Sequence, residues 1–351
     1  MNISIPKEIS FENIQWILSE ESTYLAMLIL NVIIFGFVSF LGVLTNVVNM
    51  HIFVKMQLHD SMTVELFSLA MADFFIAALE LGIVSMDIIV RLCPLTYIDL
   101  QTLGHVLFAM AVNAAYLISC WITVIISLER CLSVAYPFRV KQLFTIQRSC
   151  LAVLVVYVVH IVMFLPGFVL EKMEWVFTGP QVYNSSFSSA SNRWIYTIVF
   201  SQATVQVETA LRLGCSLSLF FISQSVLFIC SIWMTVALKN SSRIRNKRQL
   251  IQDADHIKSQ LTKKETKLIR MVLFLSFLHL VCNLPRLSLY VFYFAYPWSS
   301  AASQRNTLNI MWAISAVISN VTCFTSIGGY YHLNTKYRKL AQILFTRIVG
   351  L

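Results

Sequence analysis

The sequence predicts an all-α membrane protein: a seven-transmembrane helix bundle with its amino terminus outside and an amphipathic eighth helix after the last span. Three observations predict it. Hydrophobic residues make up 58% of the 351 and charged residues only 12%, about half the charged share of a soluble domain. Apolar runs of twenty residues or more recur, each long enough to cross a hydrocarbon core of roughly 30 Å. Lys and Arg gather in alternate short links, about 19 of the 26 on one side of the parsed spans, which makes that side cytoplasmic. The alternating ten-residue strands of a membrane barrel are absent.

Residues 1–24 are polar and acidic (Glu8, Glu12, Glu20, Glu21) and lack the basic start and cleavage site of a signal peptide. They read as an extracellular tail, with a glycosylation sequon at Asn2. The membrane domain covers 25–331, with spans at about 25–54, 62–90, 100–134, 150–170, 209–238, 268–294 and 307–331. A long outer loop, 171–207, carries a second sequon at Asn184 and a short run, Trp194 to Phe200, whose β-branched and aromatic residues suit a hairpin strand. The most basic stretch is an inner loop, 239–267. Residues 332–351 form a cytoplasmic amphipathic helix and tail beginning Lys336-Tyr337-Arg338-Lys339-Leu340, suited to lie on membrane lipids. Both sequons fall outside, in agreement with the charge asymmetry.

Several function classes are disfavoured. The net charge of +9 sits in the inner links rather than on a nucleic-acid face, so no nucleic acid is expected. Of the eight cysteines, six (Cys120, Cys150, Cys215, Cys230, Cys282, Cys323) lie in apolar runs, where a thiol packs as a small hydrophobe; Cys93 lies in an outer loop. No metal spacing is present, and neither metal nor cofactor is expected. No nucleophile–base set lies at a common depth, which argues against an enzyme.

Ionisable residues inside spans are expensive and mark function unless they pair. Glu129-Arg130 closes the third span, where Arg130 is either a functional charge or an interfacial anchor that snorkels. Asp73 stands in the middle of the second span; Asn46, Ser119, Thr322 and Ser326 are its prospective polar partners. The competing reading is a protonated acid that staples helices together.

These features, taken in order, resemble a rhodopsin-class G-protein-coupled receptor. The resemblance rests on Gly42-x-x-x-Asn46 in the first span, Leu69-Ala70-x-Ala72-Asp73 in the second and Glu129-Arg130-Cys131 ending the third. Cys282-x-x-Pro285 in the sixth, Tyr330 in the seventh and the basic amphipathic helix complete it, across essentially the whole chain beyond residue 24. It implies that Asn46 and Asp73 are core anchors, Arg130 the switch arginine and Pro285 the kink of the sixth helix. Glu265 would be the acid that holds Arg130 at rest, although pairing with lysines on its own helix explains it too. The implied partners are a heterotrimeric G protein, arrestin and an extracellular ligand, at the plasma membrane.

The departures point to a divergent invertebrate subgroup of peptide or chemosensory type. Ser326-Ile327-Gly328-Gly329-Tyr330 stands where the family has Asn-Pro-x-x-Tyr, which puts sodium binding at Asp73 in question. Asn283 and His279 replace the aromatic residues below the sixth-span proline, and the fifth span has no proline. His105 stands where the third span usually begins with cysteine, and the second outer loop has none, so the family's disulfide cannot form.

An aminergic receptor would carry an acid at Val112, and an opsin a lysine at Asn320, so neither an amine nor retinal is the expected ligand. Glu80, Asp87, Asn113, Tyr116, Arg286, Tyr290 and Trp312 remain as polar or aromatic groups of the outer half. Arg286 suggests an acidic ligand group such as a peptide carboxylate, unless Glu80 or Asp87 neutralises it internally. A seven-span transporter or channel is the alternative; it would show internal repeats or broken helices in matching positions.

Overall fold

The computed structural model describes residues 20–93, 97–136, 142–170, 172–178, 193–199, 201–249, 263–295 and 305–349. Seven helices are long and apolar enough to cross a membrane. The first span joins α1 (Glu20–Met27), a π-helical stretch (Leu28–Ile34) and α2 (Phe35–Lys55). The second, third and fourth are α3 (Ser61–Leu92), α4 (Leu100–Ala135) and α5 (Ile146–Leu170). Strands β1 (Lys172–Thr178) and β2 (Arg193–Val199) follow. The fifth span joins α6 (Gln202–Thr209), a second π-helical stretch (Ala210–Ser216) and α7 (Leu217–Gln249). The sixth is α8 (Lys263–Ala295), the seventh α9 (Arg305–Leu333), and α10 (Thr335–Val349) is the eighth helix. The sequons at Asn2 and Asn184, and Pro137 to Lys141 of the second inner link, lie outside the described residues.

The helices overrun the hydrophobic spans. α1 begins at Glu20, inside the residues assigned to the tail, and α7 runs on to Gln249, inside the expected inner loop. Residues 239–249 hold five Lys and Arg. Both are good helix formers, and they place positive charge at the helix's negative end. The fifth span, without a proline, widens through Ala210–Ser216, where Ser216 Oγ donates to Leu211 O at 2.7 Å, five residues back.

Aspartates start two spans on opposite sides of the membrane. Asp60 accepts from the Thr63 amide at 2.8 Å and Asp99 from the Thr102 amide at 3.1 Å, satisfying N–H groups that a helix start leaves open. Asp99 also anchors the outer loop. Its amide donates to Tyr196 O at 3.0 Å, the Tyr196 amide donates to Tyr97 O at 2.8 Å, and Thr197 Oγ1 donates to its carboxylate at 3.1 Å. The β1–β2 hairpin, paired antiparallel with Trp175 opposite Tyr196, is thereby docked on the third span. All eight cysteines are free.

The third span is the most buried of the seven. The fourth turns Leu151, Leu154, Val155, Val158, Ile161 and Val162 outward, an apolar face suited to lipid. At the Arg130 end the core is Ile52, Phe53, Leu66, Ile122, Ile126, Met234, Met271, Val272, Tyr330 and Tyr337. Gly42 lets the first span approach its neighbours. A Cβ there would stand 2.9 Å from the Ala77 Cβ and 3.4 Å from that of Cys323. Small residues at such crossings admit close backbone packing.

Gly42→Val should therefore destabilise the bundle by about 1–3 kcal/mol. Gly328→Ala, where nothing lies within 4 Å of the new methyl, should stabilise it by about 0.5–1 kcal/mol. Thermal unfolding of the purified full-length chain in nanodiscs checks both; equal effects would show that Gly42 is not a packing position.

Candidate functional site

Buried polar groups occupy three levels of the bundle. Near the middle, Ser119 Oγ donates to Asp73 Oδ1 at 2.6 Å, linking third and second spans. Asn46 turns to the seventh span: its amide donates to Gly42 O at 2.9 Å and to Cys323 O at 2.6 Å. Thr322 Oγ1 donates to its own helix, at Ser319 O. Ser326 Oγ and the Tyr330 hydroxyl, one turn apart, are buried without a hydrogen-bond partner. Among the proposed partners of Asp73, the one hydrogen-bonded to it is Ser119.

Asn46 continues into a chain that sequence reading missed. Asn49 Nδ2 donates to Asn46 Oδ1 at 3.1 Å, and the Tyr337 hydroxyl donates to Asn49 Oδ1 at 2.6 Å. Tyr337 stacks with Phe53 and Tyr330, ring centroids 5.5 and 5.6 Å away. Burial pushes its phenol above the usual range, so it stays a donor at physiological pH. Asn334 caps α10 through the Tyr337 amide, and Lys336 Nζ donates to Met56 O at the end of the first span. The available signal was the Tyr inside a basic run, a large ring where a surface helix needs an anchor.

At the inner end, Arg130 forms an ion pair with Glu129, its own neighbour. The reason is local. Ser61 Oγ donates to Glu129 Oε1 at 2.9 Å and fixes that carboxylate beside Arg130. Glu265 is exposed in the first turn of α8, where an acid complements the helix dipole. Glu65, which the sequence reading did not single out, is fully buried, one turn beyond Ser61 and within electrostatic reach of Glu129, Ser149 and Arg130. Neither of its oxygens has a hydrogen-bond partner. The signal was present: a fourth acid in an apolar span, eight residues before Asp73. Gly329 brings the sixth span close, since a Cβ there would stand 2.6 Å from the Phe274 ring.

In the outer half, Glu80 accepts from Ser39 at 3.3 Å and from Asn320, while Asn320 also donates to Ser39 at 2.8 Å. These donors, rather than Arg286, make the direct contacts with Glu80. Arg286 lies over the Tyr116 ring, 4.5 Å from its centroid. Tyr116, Phe220, Tyr290 and Trp312 follow one another at centroid distances of 5.8, 6.4 and 5.0 Å. Val112 and Asn113 are half-buried one turn above Tyr116, and Asp87 is half-buried near the outer end of the second span.

The two replaced aromatic positions join the third and sixth spans. The Tyr116 hydroxyl donates to Asn283 Oδ1, His279 Nε2 lies 3.3 Å from Cys120 Sγ, and Ser127 Oγ lies 2.8 Å from Ser276 Oγ. Three polar rungs thus run from the outer half to one turn above Arg130. Gln224 of the fifth span reaches Cys120 at 3.9 Å.

The family model for the 7 transmembrane receptor (rhodopsin family) matches residues 45–325. The chain belongs to that family: it is a rhodopsin-type, G-protein-coupled class of multi-pass membrane receptor, and members of that class are receptors rather than enzymes. No curated protein matches the chain.

Two substitutions test the buried groups. Tyr337→Phe removes one hydrogen bond and leaves Asn49 unsatisfied, and should cost about 1–3 kcal/mol of thermal stability. Glu65→Gln removes an ionisable group with no donor beside Glu129 and should be neutral or stabilising, by up to about 2 kcal/mol. A marked loss in Glu65→Gln would mean that the carboxylate itself is required.

Proposed function

We propose that this receptor binds an extracellular peptide or small chemosensory molecule at the plasma membrane and activates a heterotrimeric G protein. The observation that carries this reading is the column of polar rungs between the third and sixth spans. It begins at Tyr116 among the candidate ligand residues and ends next to Arg130. A ligand that favours a different spacing at Asn283 shifts the sixth helix as a rod, because the lower rungs sit on the same helix. Such a ligand acts only by its difference in affinity between the two states.

Arg130, released from Glu129, then faces the crevice between the inner ends. Pro285 supplies a helix position lacking its backbone donor, where bending costs least. The inner ends of the helices and α10 would receive the G protein, and arrestin once the receptor is active. Tyr330, packed against Phe53 and Tyr337, ties the seventh span to that face. Asp73 serves as an anchor, hydrogen-bonded to Ser119 of the third span.

The test is basal and ligand-panel G-protein activation in cells. Arg130→Ala should abolish the signal. Glu129→Gln, which weakens the resting pair, should raise basal signal by about fivefold, the equivalent of roughly 1 kcal/mol. Glu265→Ala should raise it less; the reverse order would restore Glu265 as the resting partner. Asn283→Leu should uncouple ligand from signal. Ion currents or uptake in a well-expressed receptor that activates no G protein would replace this reading with a channel or transporter.

A further inference from the structure

We propose that the ligand of this receptor is a carboxylate, that Arg286 is its anchor, and that its apolar body rests on the wall formed by Tyr116, Phe220, Tyr290 and Trp312. The proposal rests on the receptor reading and specifies the chemistry of its outer site.

A cation within a membrane bundle is costly unless something pairs with it. Among the described residues no carboxylate lies within 4.0 Å of the Arg286 guanidinium, and it makes no hydrogen bond; its partner is the face of Tyr116. Ring faces attract a guanidinium without using its N–H groups, so the in-plane fork remains available. Glu80 acts on Arg286 only at longer range, because its near neighbours are Ser39 and Asn320. Arg286 as a residue is intermediate in exposure, so part of its surface remains uncovered by protein.

A second donor points the same way. Asn283 uses its Oδ1 to accept from Tyr116, and its Nδ2 is buried with no acceptor. Asn283 and Arg286 are three residues apart on one helix and share a face. Two donor groups without acceptors, next to a wall of four aromatic rings, are complementary to an acceptor-rich anion carrying a flat apolar body. A guanidinium fork matches the two oxygens of a carboxylate in one plane. Val112, one turn above Tyr116, stands where an aminergic receptor would carry its acid.

Such an anion also explains how occupancy reaches the sixth helix. It bonds to Arg286 and competes for Asn283, both on α8, and so alters the top rung to Tyr116 on α4.

The full-length chain in nanodiscs is titrated with two acid–amide pairs: indole-3-acetate against indole-3-acetamide, and hippurate against hippuramide. Each probe is taken to about 10 mM, the range for one charge-assisted anchor with modest apolar burial, and thermal unfolding is the readout. The acids should raise the melting temperature in proportion to dose and the amides should not. Arg286→Gln should weaken the acids by about ten- to hundredfold. Glu80→Gln, which removes the competing longer-range charge, should strengthen them. If Arg286→Gln does not fold, Arg286→Lys should bind the acids about tenfold more weakly while still rejecting the amides. Equal stabilisation by acid and amide, an unaltered response in the Arg286 variants, or no stabilisation by either acid overturns the proposal. Basal G-protein activation and its loss in Arg130→Ala need no ligand and report on the receptor reading separately. Acid selectivity without coupling would sink that reading and leave the site; coupling without acid selectivity would do the opposite.

Discussion

Lipid offers no hydrogen bonds, and the Asn46 amide illustrates what this demands of the bundle. It is fully buried and uses its hydrogens on two carbonyls, Gly42 of its own helix and Cys323 of the seventh span. Its oxygen is held by Asn49, which is in turn held by Tyr337. One side chain thereby joins the first span, the seventh span and the eighth helix. The tight crossing at Gly42 follows from it, because the amide can reach Cys323 O only if the helices nearly touch. In hydrocarbon the alternative to this arrangement is a set of orphaned dipoles, each costing several kcal/mol.

The same constraint accounts for the altered activation core. Replacing aromatic residues with Asn283 and His279 puts polar groups into the interior, and each is met by a group on the third span, Tyr116 or Cys120. The substitutions therefore form an internally consistent set. Where an aromatic side chain could communicate only by changing its packing, the mechanism proposed above has these positions exchange hydrogen bonds, which are directional and either made or broken. Gly329 belongs to the same set, since its missing side chain admits the Phe274 ring of the sixth helix.

Much of this was legible in the sequence. Seven spans, the eighth helix and the loop strand at Trp194 were readable because bilayer thickness and strand composition act locally. That Asp73 has a polar partner was readable because an acid in an apolar run must find one, although Ser119 was one of four candidates. Helix ends were less readable, since the charged residues at 239–249 leave the membrane without leaving the helix. The ion pair of Arg130 with Glu129 was not singled out, for a different reason. Charge and depth do not show that the Ser61 hydroxyl, 68 residues away in the chain, holds the Glu129 carboxylate beside Arg130. Glu65 and Tyr337 escaped because their significance lies in packing against other helices, which periodicity does not report.

The docking of the β1–β2 hairpin on Tyr97, Ile98 and Asp99 has a mechanical consequence. A covalent tie would fix this hairpin to the third span permanently; here it is held by backbone bonds and one carboxylate. Each such bond contributes about 0.5–1.5 kcal/mol net, so thermal motion can unlatch and relatch the whole flap while the helices stay folded. The hairpin is thus held by a reversible latch that involves no thiol, and its release is a free-energy term separate from the folding of the helices.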